Sequence, residues 1–148
     1  MKLYRSILAC VLALVTTFVV GCSSPKTAIP TTYTPTQIQQ IQKHNTDIVA
    51  LRDRLTTELP RYISAQNWVQ VDSFIHGPLG SLLQEMNYIT KNLLPDVQPK
   101  ASKLSRQVFE DLVEVSKAVK NRDTVQAASG YQQALKDLDS FLSLVPNA

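Results

Sequence analysis

An apolar side chain recurs at every third or fourth position from Trp68 to Leu93, through Val71, Ile75, Leu79, Leu82, Met86 and Ile89. Steps of three and four keep one face of an α-helix apolar, whereas a strand would need strict alternation. A stripe this long is stable only when other elements cover it. It runs through His76-Gly77-Pro78-Leu79-Gly80, where the proline has no amide to give and its ring crowds the carbonyl of Phe74. Because the phase is unbroken on both sides, the spacing predicts one kinked helix over residues 64–94. A break in which Pro78 opens a new helix is the alternative.

Three further stretches carry the same period, divided by Pro60, by the segment from Pro95 to Pro99, and by Asn121-Arg122-Asp123. Residues 36–59 place Ile38, Ile41, Ile48, Leu51 and Leu55 on one face, with Thr34 or Thr36 able to cap the start. Residues 96–120 bury Ala101, Leu104, Val108, Leu112, Val115 and Val119. Their opposite side carries Lys103, Arg106, Glu110, Glu114 and Lys117, a solvated face with pairs such as Arg106 with Glu110. Residues 124–145 open behind Asp123 as N-cap and line up Val125, Ala128, Gln132, Leu135, Leu138 and Leu142. Ala127, Ala128, Gly130 and Ala134 in that stretch allow a neighbour to come close.

Helices of about 22 to 31 residues, at 1.5 Å per residue, joined by short connections must each run back beside the one before. The expectation is an all-α domain over residues 36–148, an up-down-up-down four-helix bundle. Four glycines are few for the turns of a small sandwich or barrel.

Residues 1–21 have the anatomy of a signal: Lys2 and Arg5 at the positive end, then an uncharged apolar run. The run ends in Val19-Val20-Gly21-Cys22, which resembles the bacterial lipobox. Cleavage before Cys22 would leave that cysteine carrying a thioether-linked diacylglycerol and usually an amide-linked acyl chain such as palmitate. An ordinary secretory signal or an uncleaved membrane helix is the alternative, though the run is slightly shorter than the roughly 20 residues a span needs. Residues 22–35 hold Pro25, Pro30 and Pro35 among threonines and read as a tether, which at about 3.1 Å per residue reaches about 40 Å.

With Cys10 in the signal and Cys22 lipidated, no cysteine remains for a disulfide or a metal site. Removing Lys2 and Arg5 leaves 13 basic against 12 acidic side chains, with no basic run to neutralise phosphates, so nucleic acid is not an expected partner. Catalytic and cofactor motifs are missing: no HExxH, ExxH, glycine-rich phosphate loop or GxSxG occurs. His44 and Asp47, three residues apart, are candidate metal ligands if a third comes from elsewhere. His44 also lies on the apolar stripe between Ile41 and Ile48, where a hydrogen-bonded, partly buried ring is the plainer reading. The ring of His76 is placed to accept the structural task of bonding a carbonyl freed by Pro78; partner contact and metal binding are the alternatives. Trp68 and Tyr131 sit at core spacing and read as packing residues ahead of binding platforms. From the residues alone, the reading stops at a lipid-anchored helical scaffold or binding protein of the cell envelope.

The segment Trp68-Val69-Gln70-Val71-Asp72-Ser73-Phe74-Ile75-His76-Gly77-Pro78-Leu79-Gly80, followed by Met86 and Leu93-Leu94-Pro95, resembles the PsbQ-like proteins. The closing Tyr131-Gln132-Gln133-Ala134-Leu135-Lys136-Asp137-Leu138-Asp139-Ser140-Phe141-Leu142 resembles their last helix, so the likeness spans the whole domain. With the lipobox, the resemblance is to the cyanobacterial lipoprotein form. It implies a non-catalytic, cofactor-free extrinsic subunit of photosystem II on the lumenal side of the thylakoid membrane, held by a lipid anchor. Its partners would be the lumenal and extrinsic subunits, and it would support the oxygen-evolving cluster without supplying ligands. Plant relatives are soluble and have a longer N-terminal region. The family-level association with calcium and chloride retention depends on that region and is carried over to no residue here.

Overall fold

The computed structural model describes residues 29–146, and all regular structure among them is helical. The expectations for the signal, for Cys22 and for the first half of the tether fall outside the described residues. Helix α1 (Pro35–Thr57) starts at a complete capping box. The Gln37 amide donates to Thr34 Oγ1 at 3.3 Å, and the Thr34 amide donates to Gln37 Oε1 at 2.9 Å. Pro60 does not divide two arms directly. It sits in the first turn of a short helix α2 (Leu59–Ser64), where a missing amide costs nothing.

Then follow α3 (Trp68–His76), a 3₁₀ turn (Pro78–Ser81), α4 (Leu82–Asn92), α5 (Gln98–Asn121) and α6 (Thr124–Leu142). Two tight reversals have the same construction. Gln66 and Arg122 take left-handed conformations, with φ of 52° and 55°. The next amide in each case reaches back over the helix end, Asn67 to the Tyr62 carbonyl and Asp123 to the Ala118 carbonyl. Asp123 then caps α6 through the Gln126 amide at 2.9 Å.

The arms are α1, the broken arm α3 to α4, α5 and α6, and they close around one core. Helix α1 lies against α4 and α6, α5 lies against α3 and α4, and α5 and α6 share the most extensive contact. Polar bonds join the start of α1 to the ends of its neighbours, as antiparallel arms require. Gln37 Nε2 donates to the Asn92 carbonyl at 3.4 Å, and Gln42 Nε2 donates to the Pro146 carbonyl at 3.0 Å. Further along, Arg52 grips the Asp139 carboxylate, its terminal nitrogen 3.2 Å from Oδ2. The core contains Ile41, Ile48 and Leu55 from α1, Val71 to Leu93 from the broken arm, and Ala101 to Ala118 from α5 at the stripe positions. Trp68 and Tyr131 pack on its edge as partly buried side chains.

Two expectations are corrected. First, residues 64–94 are not one kinked helix: α3 stops at His76, and Gly77 leaves helical geometry with φ −92° and ψ −93°. Pro78 opens the 3₁₀ turn and costs no interior hydrogen bond there. The apolar stripe is nonetheless kept, because Ile75, Leu79 and Leu82 all turn inward across the break. Second, the buried face of α6 is turned from the predicted line. Val125 is 82% exposed and Gln132 is exposed, while Ala127, Ala134, Asp137, Leu138 and Phe141 are buried. The cause is close approach. A Cβ on Gly130 would lie 2.9 Å from Val115 Cγ2 and 3.3 Å from the Asp111 carbonyl oxygen, so α5 seats on the small residues of α6. The charged face of α5 is outside as expected, but its observed pair is Lys117 with Glu114 at 2.6 Å, three residues apart.

The break makes a paired prediction. A Cβ on Gly77 would sit 2.7 Å from the Ser73 carbonyl oxygen, whereas one on Gly80 would meet nothing within 4 Å. Gly77→Ala should therefore cost about 1–3 kcal/mol, and Gly80→Ala should change stability by less than about 0.5 kcal/mol, as read by chemical denaturation. Equal effects would contradict the geometry. At Gly130 the neighbour is a stiff β-branched side chain backed by backbone. Gly130→Ala should lose about 1 kcal/mol or more despite alanine's better helix propensity.

Candidate functional site

Three places in the bundle hold side chains that packing alone does not explain. Where α1 crosses α4, His44 Nδ1 lies 2.6 Å from Glu85 Oε2, and both side chains are under one-fifth exposed. The carboxylate can only accept, so with Glu85 ionised Nδ1 is the protonated nitrogen. The imidazole also stacks on Tyr88, ring centroids 4.6 Å apart and planes 20° from parallel. The plainer reading of His44, a hydrogen-bonded stripe histidine, is what this geometry shows. Asp47 joins the group from one turn further along α1, and one ligand atom from each of His44, Asp47 and Glu85 falls within 4.8 Å of the others. Glu85 is a third candidate ligand, which sequence spacing had no means to supply, since it comes from another arm. A cation seated there would have to displace the His44–Glu85 hydrogen bond.

The second place is the break. His76 is exposed, and its Nε2 faces Asp72 Oδ1 at 3.4 Å instead of bonding a freed carbonyl. The carbonyl of Ser73 is taken by the Gly77 amide at 2.9 Å, so the helix end needs no side chain. Behind His76 the break opens a cleft of about 260 Å³ between the broken arm and α5, with Ile75, Leu79 and Met86 on one wall and Val108, Phe109 and Leu112 on the other. Phe109 is half exposed at its mouth. The structure brings His76, Gly77 and Pro78 to the surface together at one edge of this cleft.

The third place was not singled out from sequence. Asp137 is only 7% exposed on the core side of α6, and on the facing α5 the Asp111 Oδ2 atom is buried with no hydrogen-bond partner. Burial first, then the nearby Asp137 carboxyl, and then Glu110 and Glu114, push the Asp111 carboxyl up to about 6. Both residues were legible in principle. Leu104, Val108, Asp111, Val115 and Ala118 keep the step of three and four, and so do Ala127, Gly130, Ala134, Asp137 and Phe141.

The described residues contain no helix long and apolar enough to cross a membrane. Cys22, the expected lipidation site, lies outside them.

Known proteins bear on the whole chain. The family model for PsbQ, oxygen evolving enhancer protein 3, matches residues 4–146. CyanoQ of Synechocystis sp. is 45% identical over 148 residues, which is 100% of this chain and 99% of that protein.

The His44–Glu85 contact makes a measurable prediction. A double-mutant cycle with His44→Ala and Glu85→Ala should give a coupling energy of about 1–2 kcal/mol at neutral pH. Coupling near zero would mean that the stack on Tyr88, not the hydrogen bond, holds the ring.

Proposed function

Because the chain belongs to the PsbQ family, we propose that it is an extrinsic, non-catalytic subunit of photosystem II on the lumenal face of the thylakoid membrane, where it stabilises the oxygen-evolving complex. The observation that carries this reading is the match over the full length of CyanoQ, signal region included. The bundle is consistent with it: a rigid domain held by packing suits a surface subunit whose task is to bind other proteins.

The lipobox ending at Cys22 supplies the membrane attachment, and residues 22–35 supply the reach. A diacylglycerol and an acyl chain together give stable anchoring, since each buried methylene contributes about 0.8 kcal/mol. Anchoring confines the bundle to a thin layer, and the second contact, to protein, then benefits from a high effective concentration. The partner-facing edge in this reading is the one formed by His76, Gly77 and Pro78, with Phe109 beside it. In this reading the effect on oxygen evolution is indirect, exerted through contact with neighbouring subunits.

Cys22→Ser should leave the protein without lipid by intact mass, while the bundle still folds, because the thiol is the acceptor the lipobox presents. Recovery of an acylated mutant would contradict the anchor. Deleting the protein should leave photosystem II assembled, with a graded loss of oxygen evolution that is greatest when calcium or chloride is scarce. Complete loss would indicate a catalytic or ligand-supplying role. An unchanged rate under every ionic condition would return the chain to the reading of a lipid-anchored envelope scaffold.

A further inference from the structure

The seam between α5 and α6 is built for close contact: Gly130 lets the backbone of α6 approach Asp111 and Val115, and Ala127 and Ala134 are fully buried beside it. Into this seam the two helices send one carboxyl each, Asp111 and Asp137. Two ionised carboxylates are both acceptors and cannot bond one another, which leaves the buried Asp111 Oδ2 without a donor. A single proton held by either one supplies the missing O–H, which the other accepts.

We propose that Asp111 and Asp137 share one proton across the α5–α6 seam, so that the bundle is held more firmly in mildly acidic than in neutral surroundings. This inference concerns the chain itself and stands apart from the photosystem reading.

The surroundings favour the shared proton. On α5, Glu110 and Glu114 are the charged neighbours of Asp111, and Lys117 is engaged by Glu114 at 2.6 Å. From α6 comes Asp137, which accepts from Gln133 Nε2 at 3.4 Å, while its neighbour Lys136 is exposed. Of the cations on the helices packed on α6, Arg52 is engaged by Asp139 and Arg61 lies over the Tyr62 ring. The arm α3 to α4 meets α5 through apolar side chains, and its His76 faces Asp72. The charged groups that act most strongly on Asp111 are acidic.

The sign follows from linkage. The Asp111 carboxyl is raised in the fold from 3.8 to about 6, so between those values the native state keeps a proton that the unfolded chain releases. The stabilisation is complete below about 4 and is lost as pH rises through about 6. It opposes ordinary carboxylates such as Glu58, which Arg54 holds low and which loses its contribution as pH falls.

Thermal unfolding of the native chain, Asp111→Asn and Asp137→Asn should be followed from pH 4.5 to 7.5, with a chelator present so that no cation supplies the positive charge. Asparagine donates permanently, so Asp111→Asn should match or exceed the native chain at pH 7.5. Its dependence on pH should lack up to one proton released on unfolding near pH 5. Parallel curves for the native chain and both variants would overturn the proposal. If a variant fails to fold, carboxyl-carbon NMR of the native chain decides: titration of Asp111 near pH 6, with the Asp137 resonance shifting in step, supports the shared proton, and titration of Asp111 below about pH 4.5 rejects it.

Discussion

A proline inside a core-facing stripe is the constraint from which the architecture of this bundle follows. Residues 68–93 must keep one face buried throughout, yet Pro78 cannot donate to the hydrogen-bond ladder that would keep a helix continuous. The chain resolves this by separating two things that usually go together, the direction of side chains and the continuity of backbone bonding. Gly77 closes α3 by donating to Ser73 and takes a conformation in which a β-carbon would strike that carbonyl. Pro78 then starts a 3₁₀ turn, and Leu79 carries the stripe across. The consequence is a surface edge, His76 to Pro78, with an apolar cleft behind it and α5 as its far wall.

Most of the helical content and most of the core were legible in sequence because apolar periodicity reports burial directly. Ile41, Ile48, Leu55, Val71, Met86, Leu104 and Val115 are buried where the spacing places them, and Thr34 and Asp123 cap where their side chains allow. What periodicity does not report is backbone hydrogen bonding, so the same stripe that located the second arm concealed its break. Nor does it weigh small residues. Ala127 and Ala134 contribute little hydropathy, yet they define the buried face of α6 because another helix approaches there. Val125, more apolar, is left in solvent.

Polar sites were legible only where both members lie on one helix. His44 and Asp47 were found by spacing, but their partner Glu85 lies on another arm and depends on how α1 crosses α4. Asp111 and Asp137 were missed for another reason: charged residues are presumed to face water, although each keeps the buried step of three and four on its own helix. The lipobox, by contrast, is a strictly local pattern and needs no fold to be read. Family membership joins these pieces, since the match extends from residue 4 through the last helix.

The central claim is that a lipid-held bundle of this kind sits against the lumenal face of photosystem II. Crosslinking mass spectrometry on intact oxygen-evolving complexes tests it most directly, because lysine-reactive reagents capture proximity whether or not activity changes. Crosslinks are expected from the exposed lysines of the bundle, Lys117 among them, to lumenal or extrinsic photosystem II subunits. Recovery of the chain from the membranes with crosslinks only to itself or to unrelated envelope proteins would contradict it.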